Sequence, residues 1–363
     1  MRIHAALTEA QGKDFQLAML DLAEPQADEV LIKIIATGVC HTDAVARDMA
    51  LTPYPVLLGH EGAGVVEMIG SAVTDIQLGD HVVLSFASCG VCDNCLTGHP
   101  TVCTRFNELN MGGKMPDGST RLYQDGKPVS LFFGQSSFGT YSVVKAHNVV
   151  PVPKNVDLAL LGPLGCGIQT GSGTVLNTLR PEFGSSIAIF GSGAVGLSAI
   201  MAAKICGCEN IIAVDIHESR LELAKELGAT HSINSKKTKN FVAEVKEMTG
   251  GGLHYAIETT GVGAVLKDAV AALRPLGTVA IVGVTGKVEF DVQSEIMAEG
   301  KILKGVIEGD SVPRVFIPKL IEYYRKGQFP FDKLTRFYNL NEINQAFEDS
   351  KTGEVIKPIL RMD

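Results

Sequence analysis

Two short runs of this chain hold most of a metal site. Thr37-Gly-Val-Cys-His-Thr-Asp43 presents the thiol of Cys40, the imidazole of His41, the hydroxyl of Thr42 and the carboxylate of Asp43. Gly59-His-Glu61 adds a second imidazole, His60, and a second carboxylate, Glu61. Thiolate and imidazole are zinc donors, and carboxylates beside them orient such ligands from behind. Cys40 and His60 supply two ligands. A catalytic zinc needs a third from elsewhere in the chain, with its fourth position left open.

A second metal signature is self-contained. Cys89, Cys92, Cys95 and Cys103 are separated by two, two and seven residues. Four thiolates from one loop close a tetrahedron around zinc and leave no position for chemistry, so this site is expected to be structural. The same opening spacing begins some ferredoxin motifs, but the nearby fourth Cys followed by Pro is absent. His99, in the same loop, is read as solvated, and Cys206 and Cys208 as buried thiols.

The third signature is Gly191-Ser-Gly-Ala-Val-Gly196, a G-x-G-x-x-G hexamer. The pattern gains force from its context. It follows the strand-like run 186–190, opens a small-residue helix, and is followed by Asp215 at the end of the next strand. Gly191, Gly193 and Gly196 allow the tight turn and the approach of a pyrophosphate to a helix N-terminus. Asp215 is placed to accept from ribose hydroxyls and would repel a 2′-phosphate, which selects NAD over NADP. Arg220, one turn further on, either helps hold the ribose or is a solvated helix charge; His217 is read as surface.

The elements around these groups fall into two kinds. Residues 1 to about 165 hold short β-branched runs, 30–35, 64–69 and 81–84, punctuated by Gly, Pro and Asp. They predict a bent antiparallel sheet or barrel. From about 168 the pattern alternates: strands at 186–190, 211–214, 255–257 and 279–282, and helices at 194–206, 218–227, 241–248 and 265–273. That alternation predicts a parallel doubly wound sheet with right-handed crossovers. A helix at 312–325 and a β-rich end at 355–360 are too little to fold alone and are expected to return to the first domain. The expected organisation is an α/β chain, with a β-rich catalytic domain of residues 1–167 and 308–363 and an inserted cofactor domain of residues 168–307.

Cys166, in Gly162-Pro-Leu-Gly-Cys166-Gly-Ile-Gln-Thr170, is the best candidate for the third ligand. It lies where the β-rich part hands over to the dinucleotide fold, which would set the metal and the nicotinamide on one cleft.

Bulk properties narrow the partners. With 363 residues, two domains are the natural prior. A formal charge of −8 argues against nucleic acid. No apolar run approaches the roughly 18–20 residues that a membrane span needs, and the N-terminus enters a strand-like segment with no secretory pattern. A cytoplasmic enzyme is expected, with its cysteines as ligands or thiols.

Taken together, these motifs resemble the zinc-dependent medium-chain alcohol dehydrogenases over essentially the whole chain, including the tail Gly353-Glu-Val-Ile-Lys357. Within that family the likeness is nearest to the bacterial aryl-alcohol (benzyl-alcohol) dehydrogenases. The segments 161–171, 218–225 and 327–332 carry that narrower match. The resemblance implies a GroES-like catalytic domain joined to a Rossmann domain, two zinc ions per chain, NAD, and a homodimer or homotetramer. It implies reversible oxidation of a small-molecule primary alcohol to an aldehyde.

Residue by residue, it implies Cys40, His60 and Cys166 as the catalytic zinc ligands. Glu61 resembles the carboxylate behind the zinc, and Asp43 the acceptor that fixes the tautomer of the ligand His. Thr42 is placed like the hydroxyl that takes the substrate proton. Thr170 and Val282 would line the nicotinamide, Lys357 would lie near the pyrophosphate, and His41 stands where many relatives carry an Arg beside it. Val45, Leu51, Tyr54, Phe86 and Ile307 are the apolar residues expected to shape the pocket.

One position departs from the pattern. Val45 replaces the proton-relaying His of the horse-liver-type enzymes. Proton release is therefore expected to run from Thr42 through the cofactor ribose to water, and the apolar Val45 suits aromatic or allylic alcohols. Allylic terpene alcohols are the alternative substrates. A glutathione-dependent formaldehyde dehydrogenase fits less well, because the stretch between Asp43 and Gly59 is short and lacks the expected acidic pair.

Overall fold

The β-branched run at 30–35 extends into a ten-residue strand, Glu29–Gly38, on which the first part of the molecule is built. Gly62–Ile69, Tyr141–Lys145 and Lys357–Arg361 all pair with it antiparallel. Val30, Ile32 and Ile34 pack in one core with Val66, Val82, Leu84 and Val144. A seven-stranded sheet results, completed by His81–Leu84, Val149–Pro151 and Thr335–Asn339. A second sheet of five strands runs Val56–Leu57, Arg2–Thr8, Gln16–Leu22, Leu122–Gln124, Lys127–Val129. Its core is rich in aromatic side chains, including the fully buried Phe132 and Phe138.

The C-terminal strand returns as expected. Leu360 stands opposite Thr37 and Ile359 opposite Gly38, so the tail lies beside the segment that leads into Cys40.

The computed structural model describes residues 1–362, and the chain divides into two compact units. One comprises Met1–Gly167, Val312–Ile321 and the chain from Asp332 onward; the other comprises Ile168–Ser311 and Glu322–Phe331. The later division falls after Ser311 rather than at 307/308, because the turn at 308–310 is held by the helical segment that starts the second unit. Asn177 Nδ2 donates to the Gly309 carbonyl at 3.0 Å. The stretch Glu322–Phe331 joins the second unit with its own aromatic anchor: Phe329 and Phe331 are fully buried, and the Tyr324 ring lies 4.8 Å from that of Phe331.

The second unit is a six-stranded parallel sheet in the order His231–Asn234, Asn210–Asp215, Ser186–Phe190, Leu253–Glu258, Leu273–Ile281, Ile302–Gly305. Numbered by sequence that is 3-2-1-4-5-6, the dinucleotide-binding order, with its switch point beside Ser186–Phe190. All five residues of Ser186–Phe190 are buried, as befits a strand covered on both faces. The helices Phe241–Met248 and Gly263–Ala272 contribute Val245, Leu266, Ala269 and Val270 to its core. Among the described residues no helix is long and apolar enough to cross a membrane.

Candidate active site

Cys40 sits where Glu29–Gly38 gives way to the helix His41–Met49, and it occupies the N-cap in extended conformation. Asp43, in the first turn, reaches back so that its Oδ2 accepts from the Cys40 amide at 3.2 Å. Its Oδ1 accepts from the Gly59 amide at 3.0 Å and lies 2.8 Å from Nδ1 of His60. A carboxylate can only accept, so Nδ1 donates to it, and Nε2 is the ring nitrogen left for a metal. That Nε2 is buried and has no hydrogen-bond partner. A buried polar atom without a partner is costly, and a metal at this nitrogen would discharge that cost.

The remaining donors converge there. The sequence Gly162–Gly165 forms a 3-10 turn that ends at Cys166. Ligand atoms of Cys40, His60, Glu61 and Cys166 all lie within 4.8 Å of one another. Two thiols, an imidazole nitrogen and a carboxylate in that space suit zinc. Hydrogen bonding from Cys166 pulls the Cys40 thiol well below its ordinary pKa. Burial works against a charged His60, yet the Asp43 carboxylate and the Cys40 sulfur hold its pKa well above the usual value.

Behind the donors, Gln135 ties the elements together. Its Nε2 donates to the carbonyls of His60 and Ser85 at 3.0 and 3.2 Å, and its Oε1 accepts from the Gly62 amide at 3.2 Å. Phe133 stacks on His60 with centroids 4.6 Å apart and 31° between planes, while Phe132 meets the same ring edge-on at 5.6 Å.

Glu61 completes the rear wall. Lys357 Nζ donates to its two oxygens at 2.9 and 3.0 Å, and the Gly167 amide donates to Oε1 at 3.2 Å. Burial lifts the Glu61 carboxyl to about 7 despite the Lys357 ammonium. Burial would lower Lys357, but Glu61 and Cys40 raise it, so the ammonium stays charged. Gly38 makes this arrangement possible by close approach: a Cβ there would stand 1.9 Å from Glu61 Oε2.

The four-cysteine loop gathers as its spacing requires. Cys89, Cys92, Cys95 and Cys103 present their sulfurs within 4.8 Å of one another. Backbone amides of Cys92, Cys89 and Arg105 donate to the sulfurs of Cys89, Cys103 and Cys103 at 3.3, 3.3 and 3.4 Å. Among the described residues none of these cysteines is in a disulfide. His99 is not in the donor group.

In the second unit the three glycines play distinct parts. Gly191 adopts φ +93°, the left-handed region open to glycine. A Cβ on Gly196 would stand 1.8 Å from the Gly191 carbonyl oxygen, so helix and turn pack closely only without one. A Cβ on Gly193 would meet nothing within 4 Å, which leaves an open approach at the N-cap of the helix Ala194–Ile205. This is the cradle a pyrophosphate takes. Asp215, at the end of its strand, accepts from the Ser192 amide at 2.6 Å and from the amides of Ile216 and His217 at 2.7 and 2.9 Å.

Comparison with known proteins agrees with this geometry. Residues 26–154 match the alcohol dehydrogenase GroES-like domain and residues 194–322 the zinc-binding dehydrogenase domain. A geraniol dehydrogenase of Castellaniella defragrans is 43% identical over 98% of this chain and 96% of its own length. The chain is a zinc-dependent medium-chain alcohol dehydrogenase. An S-(hydroxymethyl)glutathione dehydrogenase of Synechocystis is 36% identical over 99% of this chain and 100% of its own. Among solved structures, benzyl alcohol dehydrogenase from Acinetobacter calcoaceticus is 49% identical with a TM-score of 0.96, covering 100% of both chains. An alcohol dehydrogenase zinc-binding domain protein from Burkholderia ambifaria is 49% identical with a TM-score of 0.98, over 100% of this chain and 99% of that one. This dehydrogenase accordingly uses zinc and NAD, and its donor sets fit both metal sites.

The remaining residues singled out in the sequence take varied positions. Lys357, expected near the pyrophosphate, is buried, and its ammonium is given to Glu61 and, at 3.0 Å, to the Val39 carbonyl. Strand register places it there, and register cannot be seen in a single charged residue. Thr42 lies on the first turn with Oγ1 3.8 Å from Cys40 Sγ, and His41 is exposed at the helix start. Thr170 Oγ1 donates to Glu308 at 3.3 Å, and the Val282 amide donates to Glu258 at 2.9 Å. Arg220 leaves its Nε buried and unpartnered. Of the pocket candidates, Phe86 is buried, Val45 and Tyr54 are half-buried, and Leu51 and Ile307 are exposed. The Tyr54 hydroxyl donates to the Arg47 carbonyl at 2.6 Å and so closes a helix end. Cys206 is half-buried rather than buried. Sequence reasoning missed Gln135, Phe132, Phe133 and Glu308, none of which belongs to a motif of metal or cofactor type.

Proposed function

We propose that this dehydrogenase reversibly oxidises aromatic primary alcohols of the benzyl type to aldehydes, with NAD as hydride acceptor. The observation that carries the reading is the run of aromatic rings beside a metal-ligand histidine. Phe133 stacks on His60, Phe106 meets Phe133 edge-on at 6.4 Å, and Phe86 lies 5.8 Å from Phe106. Flat apolar rings favour a planar apolar substrate by offset or edge contacts. The 49% identity to a benzyl alcohol dehydrogenase supports the same choice. The 43% identity to a geraniol dehydrogenase favours allylic terpene alcohols as a second reading. Both classes place an sp2 carbon next to the carbinol.

When bound, a zinc ion would supply Lewis acidity to the alcohol and NAD would supply a hydride acceptor. Cys40, His60 and Cys166 hold the metal, and Asp43 keeps the His60 proton on Nδ1. Thr42 accepts the proton of the alcohol. Val45 has no group to pass it on, so Val45→His is expected to change the pH dependence of the oxidation rate; an unaltered profile would count against this assignment. His41, Thr170, Gly191, Gly193, Gly196, Asp215, Arg220 and Val282 are assigned to the cofactor. Val45, Leu51, Tyr54, Phe86 and Ile307 are assigned to the substrate.

The test is a panel of benzyl alcohol, cinnamyl alcohol, geraniol and ethanol with NAD, compared by kcat/KM. Benzyl alcohol is expected to rank first. Geraniol first would establish the second reading, and ethanol first would reject both. Eight cysteines with no disulfide among the described residues support a reducing, cytoplasmic setting. A homodimer or homotetramer is supported by Ile302, an exposed apolar residue on the edge strand Ile302–Gly305 of the parallel sheet, with the exposed Met297 in the turn before it. Light scattering on the eluting protein would decide it.

A further inference from the structure

The strand Ile302–Gly305 is the last of the parallel sheet, and the turn after it is strained. Glu308, Gly309 and Asp310 stand consecutively in the left-handed region, with φ of 48°, 65° and 47°. Residues other than glycine visit that region reluctantly, and ordinarily one at a time. Such strain persists only where the surroundings over-determine it, and it gathers at functional sites.

The turn holds a carboxylate against one helix. Glu308 is 8% exposed, and its Oε2 accepts from Gln169 Nε2 and Thr170 Oγ1, each at 3.3 Å. Gly309 keeps the turn close: a Cβ there would stand 2.3 Å from the Gln169 carbonyl oxygen. Just beyond, Thr174–Leu179 is wound as a π-helix, an irregularity frequent at functional sites.

Position along the sheet says what this charge faces. In a 3-2-1-4-5-6 sheet the dinucleotide lies across the carboxyl ends of the strands. Asp215 closes the second strand and takes the adenosine side, which leaves the nicotinamide side to the half with Val282 and Glu308, after the fifth and sixth strands. We propose that Glu308 sets the charge at the nicotinamide end of the cofactor site and so favours the cationic oxidised ring over the neutral reduced one. The proposal rests on Thr170 and Val282 lining the nicotinamide.

The experiment measures binding in the zinc-loaded protein. Wild type and Glu308→Gln are titrated with NAD+, NADH and ADP-ribose, by calorimetry and by NADH fluorescence. The substitution is expected to weaken NAD+ about tenfold, as loss of one charge in a partly screened site should. NADH should stay within about twofold and ADP-ribose, which lacks the ring, should be unchanged. Equal weakening of NAD+ and NADH, or no change in either, would overturn the proposal. Glu308→Asp keeps the charge and is expected to keep the preference for NAD+. If Glu308→Gln loses ADP-ribose as well, its fold has failed and the aspartate variant decides, since loss of the preference there overturns the proposal. Wild type that binds neither NAD+ nor NADH would reject the cofactor reading itself.

Discussion

The Lys357 ammonium lies 2.9 and 3.0 Å from the two carboxylate oxygens of Glu61, and both side chains are almost wholly withdrawn from solvent. Neither can lose the other cheaply. Lys357→Met leaves a buried carboxylate facing the sulfurs of Cys40 and Cys166, and removal of one partner of such a pair costs about 3–5 kcal/mol. Urea unfolding should show that loss. The double variant Glu61→Gln, Lys357→Met should recover a large part of it; strict additivity of the two changes would show that the pair is not coupled.

The four-cysteine loop should be separable from the catalytic metal. Cys95→Ser is expected to lower the zinc content from two per chain to one, as read by mass spectrometry of the metal. Limited proteolysis should then begin within residues 89–103. Retention of two zinc ions would mean that the serine oxygen or an outside ligand replaces the thiolate.

The dinucleotide turn offers a paired experiment. Gly193→Ala adds a methyl where no protein atom lies within 4 Å, so melting temperature should hold while NAD affinity falls at least tenfold. Gly196→Ala drives a Cβ to 1.8 Å from the Gly191 carbonyl oxygen and should lower both. Equal melting temperatures for the two variants would contradict this division of roles.

Acid stability should depend on Glu29. Burial alone would raise its pKa, but the Arg121 guanidinium donates to its two oxygens at 2.9 and 2.8 Å and holds it below its ordinary 4.5. A depressed folded-state pKa means that the stabilisation is complete above about pH 4.5 and fades as pH falls through the lower folded value. Glu29→Gln should cost about 1.5–3 kcal/mol at neutral pH, since Arg121 loses one charged partner and keeps Asp117 at 3.2 Å. The gap from wild type should narrow towards pH 3; a constant gap in the unfolding free energy would refute the linkage.

How far the sequence went can be judged strand by strand. Ser186–Phe190 and Asn210–Asp215 were legible because central parallel strands are buried on both faces and read as apolar runs. His231–Asn234 and Ile302–Gly305 were not, because they are four-residue edges with little core to pattern them. The metal donors were legible because few residue types bind zinc and their spacing is short. Gln135 and Glu308 were not. Each acts through a hydrogen bond to a residue at least 50 positions away, and such a bond leaves no local pattern. Lys357 shows the limit in its sharpest form: its charge was visible, and its partner depended on which residue of the returning strand stood opposite Gly38.

That returning strand also sets an order of assembly. Lys357 and Glu61 are 296 residues apart in the chain. During synthesis the donors Cys40, His60 and Cys166 emerge long before the lysine that neutralises the wall behind them. Until that lysine arrives, the Glu61 carboxyl has no ammonium to pair with. The rear wall of the pocket can therefore close only after all three donors and the whole second unit have been made.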